Sequence, residues 1–290
     1  MTDNDNNANR DDREPVIEVR GLVKRFGCHT VLSGVNLDVY PGEMLVIMGG
    51  SGCGKSTLLR HLIGSYIADE GTVKLFGQNV AELDDAAYDE FKKRFGVLFQ
   101  SGALFNSMTV GENVALPLKE HTDLDDATID IMVKIKLEQV GLRQAEDLMP
   151  SEISGGMKKR AGLARAVSLD PEILFYDEPS AGLDPVTSAE IDFLMMDLAR
   201  KLGVASVVVT HEMDSAFRIA DRMIMLDKGN VLMDGPRSDF EALRDSGLTG
   251  APAKDTVRQF LRGDSEGPIT QRRQNSGFED DILNAAAGID

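Results

Sequence analysis

The sequence predicts an α/β fold with a mostly parallel core sheet. Short apolar runs of strand length alternate with helical patterns from residue 16 to about residue 240. Strands that alternate with helices build a parallel sheet covered on both faces. A glycine-rich turn at residues 49–54 also joins a strand directly to a helix. Because no internal repeat is visible, we expect one such domain.

The strand and helix patterns divide this domain into three parts. Strands are predicted at 16–20, 35–40, 43–48 and 72–76, with a helix at 55–64, and the N-terminal side should contribute an antiparallel β portion. The middle third is mainly helical, at 86–94, 111–118, 126–140 and 157–168. Strands return at 173–177, 205–210 and 223–226, with helices at 187–202 and 213–221. The middle third, about residues 100–168, is therefore predicted to be an inserted helical subdomain.

The two ends of the chain differ from the main domain, which we place at 16–244. Residues 1–15 are rich in Asn and Asp and predict a disordered acidic tail. Residues 245–290 are predicted to form a partly disordered C-terminal extension. Within it, Val257, Phe260 and Leu261 would share one face of a helical turn.

Composition excludes some classes of partner. The 290 residues carry a net charge of −17, so nucleic acid is not expected to bind. An anionic lipid surface would repel the chain too, and membrane contact should go through another protein. The sequence has no signal-peptide pattern and no apolar stretch of membrane-spanning length. Its two cysteines, Cys28 and Cys53, predict neither a disulfide framework nor a zinc site.

The segment GGSGCGKST matches the P-loop pattern G-x-x-x-x-G-K-[ST] between a strand and a helix. Its main-chain N–H groups would surround nucleotide phosphates at a helix N-terminus. Lys55 should reach the β- and γ-phosphates, and the Ser56 hydroxyl should bind Mg²⁺. The predicted nucleotide-binding residues here are Gly49, Gly50, Ser51, Gly52, Cys53, Gly54, Lys55, Ser56 and Thr57.

A second motif, ILFYDEP at 173–179, ends an apolar strand with two carboxylates. Asp177 would hold Mg²⁺, directly or through water. Glu178 would orient or deprotonate the water that attacks the γ-phosphate. Taken alone, the same pattern also fits an acidic strand end on the surface. Its coexistence with a P-loop favours the catalytic interpretation.

Five further segments resemble those of the ABC ATPases. ISGGMKKR at 153–160 is similar to the family's LSGGQ signature, and SAGLD at 180–184 to its D-loop. Gln100, His211 and Phe26 stand where the family has its Q-loop glutamine, its switch histidine and an aromatic ring that stacks on adenine. With the two motifs above, these segments span roughly residues 16–240 in the family's order.

The resemblance implies a head-to-tail dimer that encloses two Mg-ATP. Ser154, Gly155 and Gly156 of one chain would then donate to the γ-phosphate held by the other. His211 would hold the γ-phosphate and the water in line, together with the catalytic residues Glu178 and Lys55. Gln100 would approach Mg²⁺, and Asp184 would couple the two sites.

The signature departs from the family pattern at one position. Met157 replaces the usual glutamine, so a side-chain hydrogen bond is lost and an altered rate is expected. The basic residues that follow it, Lys158, Lys159 and Arg160, are predicted to form a solvated face.

A finer resemblance, in FQSGALFNSMTVGENVALPL at 99–118 and in VRQFLRG, is to the ATPases of Mla-type phospholipid transporters. It implies a permease of the MlaE kind, an MCE-domain substrate-binding protein and possibly a STAS-domain protein. It also implies a location on the cytoplasmic face of a bacterial inner membrane. The alternatives are the ATPase of a polar-solute importer, such as one for amino acids, and a non-transport ABC protein. The second alternative usually needs two nucleotide domains or a coiled-coil insertion, which the sequence lacks.

Two hypotheses concern features outside the catalytic motifs. Cys53 lies beside a helix N-terminus, a setting that lowers a thiol pKa and could make the thiol reactive, although a cysteine in this slot can also pack inertly. The apolar turn of the C-terminal extension must dock on something, because it is too short to be stable alone. The resemblance favours the neighbouring copy, as a clasp, over the chain's own domain.

Overall fold

A computed structural model describes residues 14–270. Its strands are β1 (Ile17–Phe26), β2 (His29–Val39), β3 (Met44–Gly49), β4 (Glu70–Leu75), β5 (Gln78–Asn79), β6 (Phe95–Leu98), β7 (Ile173–Asp177), β8 (Ala205–Val209), β9 (Arg222–Asp227) and β10 (Asn230–Pro236). Its helices are α1 (Lys55–Leu62), α2 (Asp85–Lys92), α3 (Val110–His121), α4 (Asp126–Gln139), α5 (Gly155–Ala166), α6 (Pro185–Leu202), α7 (Met213–Ile219), α8 (Arg237–Asp245) and α9 (Pro252–Arg262). None of these helices is both long and apolar enough to cross a membrane.

The strands form two sheets. A six-stranded sheet has the order β10-β9-β3-β8-β7-β6, and all its pairs are parallel except β10 with β9. A four-stranded antiparallel sheet, β2-β1-β4-β5, comes from the N-terminal part of the chain. This is the predicted fold class, a mostly parallel core with an antiparallel β portion.

Strand β3 divides the interior into two apolar cores. All six of its residues are buried, and successive side chains point to opposite faces of the sheet. Met44, Val46 and Met48 join the core that includes α3 to α9. Leu45 and Ile47 join the core shared with α1 and the antiparallel sheet. The sheet is therefore covered on both sides, as a parallel sheet requires.

Helices α3, α4 and α5 lie between β6 and β7 in the sequence, and each begins at a side-chain cap. Thr109 accepts a hydrogen bond from the N–H of Glu112, and the Glu112 side chain accepts one from the N–H of Thr109. Asp125 caps α4, and Ser154 caps α5. Such caps satisfy N–H groups that have no partner within the helix. They determine where each helix starts within the helical region predicted at about 100–168.

Besides the two-residue strand β5, three elements were not predicted, and each carries a weak sequence pattern. Strand β6 has four residues, too few to show an alternation. Strand β10 is a half-exposed edge strand with an irregularity between Val231 and Met233. Helix α8 buries only Phe240 and Leu243. Short or edge elements owe their structure to neighbours that periodicity does not reveal.

Helix α9 places the predicted apolar face against its own chain, and the clasp on a neighbouring copy stays a prediction. It spans 11 residues instead of one turn, and it packs against α8 and β10. Val257 and Leu261 are 0% and 5% exposed and belong to the same core as Phe240. Phe260 is partly buried against that core. The apolar face therefore docks on its own chain.

The predicted weak order of 264–290 can be compared with the structure only to residue 270. Within that range, the Gln259 side chain bonds to the main chain of Asp264 and Ile269.

Candidate functional site

The predicted catalytic segments meet at one edge of the parallel sheet. The P-loop follows β3, Gln100 follows β6, Glu178 follows β7 and His211 follows β8. These four strands are parallel neighbours, so their carboxyl ends lie at the same edge. In open α/β sheets, ligands bind outside this edge. Strand order thus brings together groups that are separated by more than 100 positions in the sequence.

The P-loop leads directly from β3 into α1. Gly54 precedes α1 with φ +111°, in a region that residues with a Cβ rarely adopt. The Lys55 side chain is buried, and its Nζ donates to the carbonyls of Gly49 and Gly50 at 2.7 and 3.1 Å. The ammonium is therefore held within the loop that would surround the phosphates. Ser56 is exposed at the start of the helix, and Thr57 is partly exposed.

The structure favours inert packing of Cys53 over the reactive-thiol hypothesis. Its side chain is buried within the P-loop. Burial raises the pKa of the Cys53 thiol, and the nearby Lys55 only partly opposes this effect. The cost of a charged thiolate in an apolar setting thus exceeds the favourable field of the helix N-terminus.

The two carboxylates at the end of β7 occupy different settings. Asp177 is half-buried, and burial, followed by repulsion from Glu178, raises the pKa of its carboxyl group. Arg60, Lys55 and Lys159 act in the opposite direction. A cation placed beside Asp177 would likewise stabilise its charged form. The carboxylate therefore fits a divalent metal ion.

The donor set around Asp177 also suits Mg²⁺. This ion prefers oxygen ligands and commonly uses one or two carboxylates together with substrate phosphates. Asp177 offers a carboxylate, Ser56 a hydroxyl and Gln100 an amide oxygen, and Ser56 and Gln100 are exposed. These residues would hold Mg²⁺ together with phosphate oxygens of the nucleotide.

Glu178 occupies a strained turn and contacts His211. Its φ is +50°, a conformation that costs a residue with a side chain roughly 1–3 kcal/mol. Its N–H donates to the carbonyl of Val209 at 2.8 Å. One carboxylate oxygen lies 2.9 Å from Nδ1 of His211, and the other accepts the N–H of His211 at 3.3 Å. Strain of this kind tends to occur at active sites, because it fixes a reactive group in place.

The signature residues lie at the N-terminus of α5. Ser154 caps this helix, and its Oγ accepts the N–H of Met157 at 3.2 Å. Its hydroxyl hydrogen stays available for donation to an anion. Gly155 is exposed and Gly156 is buried. A Cβ on Gly156 would lie 2.7 Å from Thr187, so the signature packs closely against the start of α6.

Asp184 has a structural role in this chain. Its Oδ1 accepts hydrogen bonds from the N–H groups of Val186 and Thr187 at 3.0 and 3.1 Å, and its Oδ2 accepts the Thr187 hydroxyl at 2.6 Å. These bonds hold the pKa of Asp184 below its usual range. It therefore caps α6, and its proposed role in coupling two nucleotide sites stays a prediction.

Of the three basic residues after the signature, one is buried instead of solvated. Lys159 is 5% exposed, and its Nζ donates to the carbonyl of Glu178 at 3.1 Å. Arg160 pairs with Glu190 at 2.6 Å. Lys158 is partly exposed. The prediction was wrong for Lys159, because sequence spacing does not show that α5 packs beside the end of β7.

The remaining predicted residue, Phe26, lies at the end of β1 and is 47% exposed. Its ring makes an edge-to-face contact with Tyr66, with centroids 5.8 Å apart. The Lys24 ammonium lies 5.6 Å from the Phe26 centroid. An exposed, braced ring can stack on a base. Tyr66, which supports that ring, was not identified from the sequence.

Comparison with known proteins agrees with this arrangement. A family model described as "ABC transporter" matches residues 32–181. The chain is 43% identical over 94% of its length to a Mycobacterium leprae protein named probable ribonucleotide transport ATP-binding protein mkl, and it covers 76% of that protein. It is 38% identical over 92% of its length to the Escherichia coli K12 intermembrane phospholipid transport system ATP-binding protein MlaF, and it covers 96% of that protein.

Solved structures share the fold. A dimeric ATP-binding cassette in a post-hydrolysis state, bound to ADP and Pi, has a TM-score of 0.70 and 29% identity, and covers 76% of this chain and 98% of its own. The cbiO1 protein of Clostridium perfringens, part of an ABC transporter complex, has a TM-score of 0.73 and 26% identity. It covers 79% of this chain and 91% of its own.

The family match spans the P-loop, the signature and the two carboxylates at the end of β7. Relatives also cover almost the whole chain. The chain therefore belongs to the ABC transporter ATP-binding family, as an ATP-hydrolysing transporter subunit whose cofactors are ATP and Mg²⁺.

Proposed function

We propose that two copies of the chain dimerise head to tail around two Mg-ATP and drive phospholipid transport through a separate membrane permease. The observation that carries the catalytic part is the meeting of Lys55, Asp177, Glu178 and His211 at one sheet edge. Such a set provides phosphate binding, metal binding and water activation, which together make up phosphoryl transfer to water.

Each residue has a defined task in this mechanism. Main-chain N–H groups of the P-loop and the ammonium of Lys55 bind the phosphates. Mg²⁺, when bound, neutralises charge that develops on the phosphate oxygens. The Glu178 carboxylate holds the attacking water and takes its proton. His211, with Nδ1 engaged by Glu178, keeps Nε2 for the γ-phosphate or the water. Phe26 stacks on adenine.

The separate packing of the helices that follow the P-loop and the signature supports dimerisation. Helix α1 packs chiefly against β2, β3, β4, β7 and β8, whereas α5 packs chiefly against α3, α4, α6 and β6. The exposed Ser154 at the start of α5 can therefore serve a nucleotide bound by another copy. A related cassette is described as dimeric with ADP and Pi bound. In the proposed dimer, Ser154, Gly155 and Gly156 close over the partner's γ-phosphate.

The loop between β6 and α3 is a candidate surface for the permease. Phe99 and Phe105 are 41% and 51% exposed. The loop is held firmly by the fully buried Asn113, whose Nδ2 donates to the carbonyls of Phe105, Met108 and Thr109, at 3.1, 3.2 and 2.8 Å. Its Oδ1 accepts the N–H of Phe105 at 2.7 Å. Exposed aromatic rings on a rigid support are typical of protein interfaces.

The permease would be of the MlaE kind, at the cytoplasmic face of a bacterial inner membrane. An MCE-domain protein and a STAS-domain protein would complete the transporter. The phospholipid substrate is supported by relatives named for phospholipid transport, which the chain covers almost in full. Because other relatives carry the name of ribonucleotide transport, a polar solute is the alternative.

The test is reconstitution. The chain would be co-expressed with its candidate permease, purified by a tag on the permease and placed in phospholipid vesicles. ATP hydrolysis that depends on the permease, together with ATP-dependent movement of labelled phospholipid, would support the proposal. Uptake of a labelled ribonucleotide with no movement of phospholipid would favour the alternative. The Glu178→Gln variant is the control, because it should assemble without turning over.

A further inference from the structure

We propose that Lys159 is a positioning residue for ATP hydrolysis: from the signature helix, it holds the strained turn that presents Glu178. The inference deepens the proposed function and rests on Glu178 as the group that activates water. It concerns a residue of the same chain as Glu178, whereas the signature itself is proposed to serve the partner's nucleotide.

The contact is specific in position and chemistry. Lys159 Nζ donates at 3.1 Å to the carbonyl of Glu178, which also accepts the N–H of Ala181 at 3.2 Å. The N–H of Glu178 donates to Val209 at 2.8 Å. Hydrogen bonds therefore hold both the main-chain N–H and the main-chain carbonyl of Glu178, while its φ is +50°. Without Lys159, one of these restraints is lost, and the strain favours relaxation of the turn.

Burying this ammonium is costly, so its retention needs a reason. Lys159 is one of the few buried cations in residues 14–270, at 5% exposure. Burial lowers the pKa of its ammonium, and the carboxylates of Glu212, Glu178 and Asp177 act in the opposite direction. Its position thus places positive charge among acidic groups of the site. A hydrogen bond from a charged donor is stronger than one from a neutral donor.

The other end of the same helix contacts the loop that follows Gln100. Arg165 donates to the carbonyls of Ala103 and Gly102, at 2.8 and 3.1 Å. A Cβ on Gly162 would lie 2.9 Å from the carbonyl oxygen of Gly102, so helix and loop are in direct backbone contact. One rigid helix therefore joins three features: Ser154 at its N-terminus, the Glu178 turn through Lys159, and the loop after Gln100.

Through this arrangement, Lys159 would transmit movements of α5 to the turn that holds Glu178. Closure of Ser154 on the partner's nucleotide, or movement of the loop, could shift α5. Because Lys159 lies within one helical turn of the signature, such a shift would move the main chain of Glu178. None of the hydrogen bonds cited above for α5 involves a P-loop residue. Loss of Lys159 should accordingly slow the chemical step without weakening nucleotide binding.

The experiment compares Lys159→Met, Lys159→Arg and Lys158→Met in the full chain with its permease. Lys159→Met keeps the length of the side chain and removes the charged donor, and Lys159→Arg keeps a cationic donor. Lys158→Met removes the same charge from the adjacent, partly exposed position. For each variant, kcat and KM for ATP, the Kd for a fluorescent ATP analogue and Tm would be measured.

We expect Lys159→Met to lower kcat by about tenfold or more, the scale set by loss of a charged hydrogen bond. Its Kd and Tm should stay near the wild-type values, Lys159→Arg should recover most of kcat, and Lys158→Met should behave as wild type. The inference is overturned if Lys159→Met keeps kcat within about twofold of wild type. It is also overturned if kcat, Kd and Tm change together in both Lys159 variants, because Lys159 would then be merely structural. If Glu178→Gln retains full turnover, the proposed function fails instead.

Discussion

His211 and Glu178 are joined twice, through Nδ1 of the imidazole to one carboxylate oxygen at 2.9 Å and through the main-chain N–H to the other at 3.3 Å. The two residues follow adjacent parallel strands, β8 and β7. The orientation of the carboxylate is therefore fixed by two contacts with a single residue of the same chain. Preorganisation of this kind reduces the rearrangement that a reaction needs.

Replacing Glu178 with glutamine should separate binding from hydrolysis. The amide keeps hydrogen-bonding capacity but is a poor base, so hydrolysis should fall by about 10²–10⁴-fold. ATP binding should persist, because Lys55 and the P-loop are unchanged, and an ATP-bound dimer should accumulate. Steady-state ATPase assays and size-exclusion chromatography with ATP measure these outcomes. Turnover near the wild-type rate would remove Glu178 from the mechanism.

Mixing two inactive variants should restore activity if each nucleotide is shared between chains. Lys55→Ala disables the P-loop, and Ser154→Arg blocks the signature. In a mixed dimer, one site carries both defects and the other carries neither. Partial hydrolysis should return on mixing, provided that one intact site can turn over. If no mixture hydrolyses ATP, or if either variant alone is fully active, the head-to-tail dimer is contradicted.

The two cysteines should differ in their rate of reaction with maleimide. Cys28 is exposed and Cys53 is buried, and the raised pKa of Cys53 leaves less thiolate at neutral pH. We expect one fast thiol that disappears in Cys28→Ser and persists in Cys53→Ser. ATPase activity should survive the fast phase. A fast phase that vanishes in Cys53→Ser, or that ATP suppresses, would show that the P-loop thiol is reactive.

Helix α9 should stabilise its own chain. Leu261 is 5% exposed within the core, so Leu261→Ala should cost about 2–5 kcal/mol of unfolding free energy. Lys254→Ala is the matched control, since Lys254 is exposed on the same helix and surface changes usually cost less than about 0.5 kcal/mol. Urea unfolding at low protein concentration compares the two. If both variants are equally stable and Leu261→Ala dimerises more weakly, the hypothesis of a clasp on the neighbouring copy would be supported instead.

The nucleotide motifs were predictable because each is a continuous segment. GGSGCGKST and ILFYDEP contain their chemistry within nine and seven residues, and the strands before them have clear apolar patterns. Lys55, Asp177 and Glu178 were thus identified, His211 came from the resemblance to the ABC ATPases, and the structure brings all four to one sheet edge. The proposed ligands of these residues stay predictions.

Contacts between distant segments could not be predicted. The hydrogen bond from Lys159 to Glu178 joins residues 19 positions apart. It depends on the packing of a helix against the end of a strand, which the periodicity of the sequence does not predict. The burial that raises the pKa of Cys53 depends on neighbours from other elements, whereas the sequence shows only the adjacent helix N-terminus. Similarly, the sequence shows that Val257 and Leu261 share a face, but not which surface covers it.

The sequence by itself determined the family, the order of most strands and helices along the chain, and the candidate residues for phosphate chemistry. Those properties depend on local patterns, which are readable wherever a motif is contiguous. The tertiary structure alone decided the strained geometry of Glu178, the contact of Lys159 with the Glu178 carbonyl, the burial of Cys53 and the packing of α9 on its own chain. Each of these results from packing between segments far apart in the chain, where burial and shape set the energy.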